Sequence, residues 1–179
     1  LATGAAHRHL GLDGEEELVG CGVSYCAVCD GAFYTGRDVA VVGGGDTALQ
    51  DALFLANSCR HVTLIHRRDQ FRGEDRLVRQ VENRENITIL YSHTVEALHA
   101  ANGELTGITV KDAKTGEEKE LAVEGLFAAV GQQPQSAPFA ALVNTAGGYY
   151  QAGEDTLTDC GGVFAAGDGR VKSVRQLTT

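Results

Sequence analysis

Asp38-Val39-Ala40-Val41-Val42-Gly43-Gly44-Gly45-Asp46-Thr47-Ala48-Leu49-Gln50-Asp51-Ala52-Leu53-Phe54-Leu55-Ala56 is the stretch that decides the fold. From Asp38 to Val42 it is a short, β-branched apolar run, the pattern of a strand buried in a parallel sheet. From Asp46 onward it carries strong helix formers with apolar residues at helical spacing. Between the two lies Gly43-x-Gly45-x-x-Ala48, a dinucleotide fingerprint at a strand-to-helix turn. Gly43 permits the tight turn, Gly45 lets the backbone approach a pyrophosphate, and Ala48 keeps helix and strand close. Gly44, Asp46 and Thr47 complete the turn and the start of the helix. That helix N-terminus offers N–H groups and a positive dipole end to phosphates.

Toward the C-terminus, His61-Val62-Thr63-Leu64-Ile65 reads as the second strand. NAD enzymes place an acidic residue at the end of this strand, on the ribose 2′-hydroxyl. Here the chain reads His66-Arg67-Arg68-Asp69-Gln70-Phe71-Arg72. Arg67, Arg68 and Arg72 can converge on a 2′-phosphate with forked donors, so the expected dinucleotide is NADPH rather than NADH. His66 is read as positional, near the adenosine phosphate. The spacing then predicts a charged helix over Glu74–Val81 and a strand over Ile87–Leu90. Three antiparallel strands follow, Thr94–His99, Leu105–Lys111 and Glu118–Val123, joined by the turn signals Asn102-Gly103 and Lys114-Thr115-Gly116. Leu126–Gly131 closes the unit as another buried strand.

Toward the N-terminus stands the one tight cysteine pair, Cys26-Ala27-Val28-Cys29. Beside a βαβ unit this pair is read as redox-active. The competing reading, zinc, needs four ligands and the chain has a single CxxC; no metal site is expected. Of the other thiols, Cys59 sits in a helical apolar segment as core filler and Cys160 is structural, while Cys21 fits either role.

The whole chain has 179 residues, 43% of them hydrophobic and 22% charged, which is globular composition. Its formal charge of −9 argues against a nucleic acid or an anionic membrane as partner. No apolar run approaches the ~18 residues of a membrane span, and Leu1–Leu10 has no signal-type apolar core. The chain contains no Met and opens at Leu1, so it is expected to be the middle of a longer polypeptide.

Taken together, Tyr25-Cys26-Ala27-Val28-Cys29-Asp30-Gly31, Val41-Val42-Gly43-Gly44-Gly45-Asp46-Thr47-Ala48 and His66-Arg67-Arg68-x-x-x-Arg72 resemble the low-molecular-weight thioredoxin reductases. Gly162-Val163-Phe164-Ala165-Ala166-Gly167-Asp168 and Arg175-Gln176 resemble that family's second flavin motif. The likeness runs through essentially the whole chain. It implies an α/β fold: a Rossmann-like three-layer NADPH-binding domain with an inserted antiparallel β-meander. Incomplete parts of a second Rossmann-like, FAD-binding domain flank it. By resemblance, residues 1–10 end a first FAD segment, 11–133 form the NADPH domain with the CxxC, and 134–179 start a second FAD segment.

The resemblance further implies that electrons pass from NADPH through FAD to the Cys26–Cys29 disulfide and on to thioredoxin. Cys29 would face the flavin, Cys26 would attack the substrate disulfide, and Asp30 would be the acid/base. Asp168 would bond the flavin ribityl chain, Arg175 and Gln176 would line the flavin, and Gly4 would lie near it. A cytoplasmic homodimer is implied for the whole enzyme. Rotation about strand-like hinges near His9–Gly14 and Gly131–Gln135 would bring dithiol and nicotinamide to the flavin in turn. The rival readings are the flavoprotein reductase of an alkyl hydroperoxide system and a non-catalytic NADPH-binding module. A ferredoxin-driven relative would not need the three arginines.

Overall fold

The computed structural model describes residues 1–172. In chain order its strands and α-helices are β1 (Ala5–His7), β2 (Val23–Ser24), α1 (Ala27–Asp30), β3 (Asp38–Gly43), α2 (Asp46–Leu55), β4 (His61–His66), α3 (Asp75–Glu82) and β5 (Ile87–Tyr91). There follow β6 (His93–Ala101), β7 (Glu104–Asp112), β8 (Glu118–Leu121), β9 (Gly125–Ala129), β10 (Gln132–Pro134), β11 (Thr145–Ala146) and β12 (Tyr149–Tyr150). They fall into two compact units, His9–Val130 and Leu1–Arg8 with the segment from Gly131 onward.

The larger unit is a Rossmann-like α/β domain. Its sheet is parallel throughout, in the order β2-β9-β3-β4-β5. The chain winds β3-α2-β4-α3-β5, two consecutive crossovers by helices, then departs into the meander before returning as β9. Successive strand residues alternate between the faces, as the pleat requires. Val39 and Val41 of β3, Val62 and Leu64 of β4 and Phe127 of β9 pack with Leu49, Ala52 and Leu55 of α2 and Leu77 and Val81 of α3. Ala40, Ile65 and Leu126, on the other face, pack with Leu105, Ile108 and Val110 of the meander. The result is three layers: helices, parallel sheet, antiparallel sheet β6-β7-β8. Both faces of the central sheet are dry, which explains why its strands read as continuous apolar runs.

The β6–β7 hairpin turns on Asn102 and Gly103, with φ of 55° and 82°. Two successive positive φ values are what a two-residue type I′ turn demands, and Asn-Gly supplies them at least cost.

In the smaller unit β1 pairs antiparallel with β10, and β11 with β12. Val143, Tyr150, Ala152 and Ala165 form its core. Leu1 is tied to the segment 164–166: its carbonyl accepts from the Ala166 N–H at 2.9 Å, and its ammonium donates to the Phe164 carbonyl. Strand β1 ends at His7, just before His9–Gly14, and the larger unit begins at His9. The residues after His9 are gathered around a buried carboxylate, Glu15.

Candidate functional site

The glycine turn follows β3, and each of its glycines has a separate spatial reason. A Cβ on Gly43 would lie 2.5 Å from the Ala129 carbonyl oxygen and 2.7 Å from Ala48 Cβ. Sheet and helix therefore meet at van der Waals distance only because Gly43 has no side chain and Ala48 a methyl. A Cβ on Gly44 would fall inside the His66 imidazole. Gly45 is the N-cap of α2, and a Cβ there would meet nothing. The space outside this helix start is open, as a phosphate group requires. Thr47 is exposed in the first turn.

The loop after β4 folds back onto this turn. Arg72 N–H donates to the Gly44 carbonyl at 2.8 Å, and Glu74 N–H donates to Asp46 Oδ1 at 2.7 Å. His66 is buried at the end of β4, with its Nε2 at 3.0 Å from the Gln70 carbonyl oxygen. Its pKa is lowered, first by burial and then by the charges of Arg72, Arg68 and Arg67, against the Gln70 contact. The imidazole is a neutral strut under the turn. Arg67, Arg68 and Arg72 are exposed, and none of them forms an ion pair among the described residues. Three guanidinium groups without an ion pair concentrate positive charge on this loop in a chain of charge −9. The glycine turn and the arginine loop are the residues that could hold the phosphates of a dinucleotide.

The cysteine pair lies on α1. Cys26 and Cys29 form a disulfide, with Cα atoms 5.3 Å apart. Cys26, half-buried, is the N-cap, and its sulfur accepts from the Cys29 N–H at 3.2 Å. A sulfur held by an N–H donor is favoured as thiolate once the bond is reduced. Cys29 is the more exposed of the two. Asp30 closes α1, and its Oδ2 accepts from the Ser24 hydroxyl at 2.7 Å. Ser24 Oγ in turn accepts from the Cys26 N–H at 3.1 Å. One hydroxyl thus links the carboxylate to the cysteine backbone. Gly31 follows directly: a Cβ there would stand 2.9 Å from Leu55 Cδ2 and 3.2 Å from Phe54 Cε1. That absence lets the disulfide segment lie against α2, the helix that starts at the glycine turn.

In the smaller unit Asp168 is in a single 3₁₀ turn, Gly167–Gly169, and is paired with Lys172 at 2.9 Å. A Cβ on Gly169 would approach Thr3 Oγ1 at 3.3 Å and Gly4 N at 3.4 Å, so the two expected flavin-motif segments meet. Arg175 and Gln176 lie outside the described residues. With one assigned carboxylate, already paired, the described residues do not by themselves compose a flavin site. Among the described residues no helix is long and apolar enough to cross a membrane.

The family model of the pyridine nucleotide-disulphide oxidoreductases matches residues 1–179. The chain belongs to this family. Among known oxidoreductases of the family, it is 42% identical over 180 residues to the thioredoxin reductase of Bacillus subtilis, covering 100% of this chain and 57% of that protein. It is 43% identical over 181 residues to the bifunctional thioredoxin reductase/thioredoxin of Mycobacterium leprae, covering 100% of this chain and 39% of that protein. Among solved structures, the thioredoxin reductase of Streptococcus pyogenes superposes with a TM-score of 0.87 at 36% identity, over 99% of this chain and 58% of that one. The chain therefore spans a little over half the length of the single-function relatives it matches.

Three residues of this oxidoreductase site are not singled out by the sequence reading. Ser24 bridges Asp30 and Cys26; its signal was a hydroxyl two positions before a functional cysteine, a spacing typical of local turns. Gly73 lets the arginine loop approach α2: a Cβ there would collide with Leu49 Cδ1 and lie 2.8 Å from Asp46 Oδ1. Glu15 holds the segment before the cysteines, and nothing in its neighbourhood of Glu residues distinguishes it in sequence.

Proposed function

We propose that this chain is the NADPH-binding, dithiol-bearing part of a flavoprotein disulfide reductase whose substrate is oxidised thioredoxin. The carrying observation is the placement of the Cys26–Cys29 disulfide on the same unit as the glycine turn, with α1 packed on α2. The likeness to thioredoxin reductases supports the same reading. In the whole protein, we read a cytoplasmic homodimer. FAD, when bound there, supplies the relay between NADPH and the disulfide. We assign Gly43, Gly44, Gly45, Asp46, Thr47 and Ala48 to the pyrophosphate end and His66, Arg67, Arg68 and Arg72 to the 2′-phosphate. Asp168, Arg175 and Gln176 are assigned to the flavin.

The chain's own residues do the final step. Reduced Cys26 attacks one sulfur of the thioredoxin disulfide as thiolate, with the Cys29 N–H favouring that charge. A mixed disulfide forms and the thioredoxin S–S bond breaks. Cys29 then attacks Cys26 Sγ, which re-forms the internal disulfide and releases the thioredoxin sulfur that Cys26 had attacked. Two electrons and two protons leave the chain and arrive on thioredoxin. We assign Asp30 to take and return the proton; the Ser24 hydroxyl donates to its carboxylate.

The test needs no flavin. The chain is reduced with dithiothreitol, desalted and mixed with oxidised thioredoxin, and thioredoxin thiols are counted. Transfer of two thiols per chain is expected, and Cys26→Ser should abolish it. Absence of transfer from the unmutated chain would refute the assignment.

A further inference from the structure

The arginine loop is not a free basic turn; it is fastened. Four contacts close it on its surroundings: Arg72 N–H to Gly44 O at 2.8 Å, Glu74 N–H to Asp46 Oδ1 at 2.7 Å, His66 Nε2 to Gln70 O at 3.0 Å, and Ser92 N–H to Arg68 O at 2.9 Å. Of these, the Asp46 contact is the one between the loop and the glycine turn that runs through a side chain. Asp46 is also the acidic residue of the turn. It occupies the first turn of α2, where a carboxylate suits the helix dipole but repels a pyrophosphate bound at the same end. Its carboxylate is engaged instead by the loop, at the boundary between Arg72 and α3. Gly73 gives the approach its room: any side chain there would meet Leu49 Cδ1 and Asp46 Oδ1.

We infer that Asp46 is a positioning residue for 2′-phosphate selectivity, holding the Arg67–Arg72 loop over the glycine turn through the Glu74 N–H. The inference rests on the NADPH reading above and adds to it the residue that presents the arginines. Arginine side chains on a loop lose conformational freedom when they clamp a phosphate. A loop already fixed at its C-terminal end loses less, and the difference appears only for ligands that carry the 2′-phosphate. Asp46 is not expected to touch that phosphate.

The experiment titrates the full chain calorimetrically with adenosine 2′,5′-bisphosphate and with 5′-AMP, which differ by the 2′-phosphate alone. The unmutated chain should prefer the bisphosphate. Asp46→Ala should lower that preference by about tenfold, the worth of about one charged hydrogen bond; the readout is the ratio of the two affinities, in which any change common to both ligands cancels. Asp46→Asn keeps the Oδ1 acceptor and should retain the preference. Gly73→Ala, which disturbs the same approach from the loop side, should lower it independently. Thermal melts confirm that each variant folds. An equal loss for both ligands in Asp46→Ala would make the residue part of the general phosphate cradle and overturn the inference. So would an unchanged preference, or an Asn variant as impaired as the Ala one. An unmutated chain that does not discriminate the two ligands would bring down the NADPH reading itself, and the inference with it.

Discussion

Glu15 is 2% exposed and ionisable, a combination that ordinarily costs stability. Four donors meet its carboxylate: the N–H groups of Leu10, Gly11 and Leu12 at 2.8, 2.7 and 3.2 Å, and the Tyr25 hydroxyl at 2.8 Å. Burial alone would raise its pKa, but these hydrogen bonds outweigh it and the net shift is downward from 4.5. A depressed carboxylate contributes stability that is present above the unfolded-state pKa and is lost as pH falls through the folded one. The chain should therefore lose stability below about pH 4.5 in part through this group. Glu15→Ala removes the acceptor of four hydrogen bonds and should cost about 3–5 kcal/mol at neutral pH. Glu15→Gln should cost less and should flatten the acid side of the profile. Urea midpoints across that pH range check both.

At the scale of elements, α2 carries the two halves of the site, with the glycine turn at its start and the disulfide segment against Phe54 and Leu55. Between them Asp51 is half-buried, and burial raises its pKa to about 6. A carboxylate whose pKa is raised above the unfolded value of 3.8 stabilises the fold only while protonated. That contribution is whole below about 3.8 and gone above about 6. Asp51→Asn should thus raise stability at pH 7 by roughly 1–3 kcal/mol, and the gain should vanish in acid. Melting temperatures at the two pH values decide it.

The same elements show where the sequence is readable. The β3–turn–α2 unit is local: a switch from strand to helix patterning around glycines can be read without knowing what lies nearby. The meander is readable for the same reason, through Asn102-Gly103. The position of β2 beside β9, at the far edge of the sheet, is not. A two-residue strand, Val23–Ser24, has no periodicity to read, and its neighbour lies about a hundred residues away in the chain. The fastening of the arginine loop was equally hidden. The arginines could be assigned from their place after β4, but the Asp46–Glu74 contact joins positions that only the fold brings together. Glycine-rich His9–Gly14 reads in sequence as a connection, and the sequence does not show that the N–H groups of Leu10, Gly11 and Leu12 are committed to Glu15.

At the scale of the molecule, the two units differ in how much of their chemistry the described residues contain. The larger unit holds the glycine turn, the arginine loop and the disulfide. In the smaller one the assigned carboxylate of Asp168 has Lys172 for company, and its remaining assigned partners, Arg175 and Gln176, are not described. The readings of NADPH and of dithiol exchange accordingly rest on geometry, and the reading of flavin rests on kinship.

The sulfurs carry one more consequence. Cys21 is exposed, Cys160 is half-buried, Cys59 is buried among the helices and sheet of the larger unit, and Cys26 and Cys29 are joined. The three free thiols are thereby graded by access into a clock. A chromogenic thiol reagent added to the native, oxidised chain should colour at once with Cys21 and more slowly with Cys160. Cys59 should react only at the rate at which the core of that unit opens. Its burial also raises its pKa, which slows it further by withholding thiolate. The slowest phase of that reaction reports the opening of the larger unit, read without a label, and a ligand that binds the glycine turn should slow it.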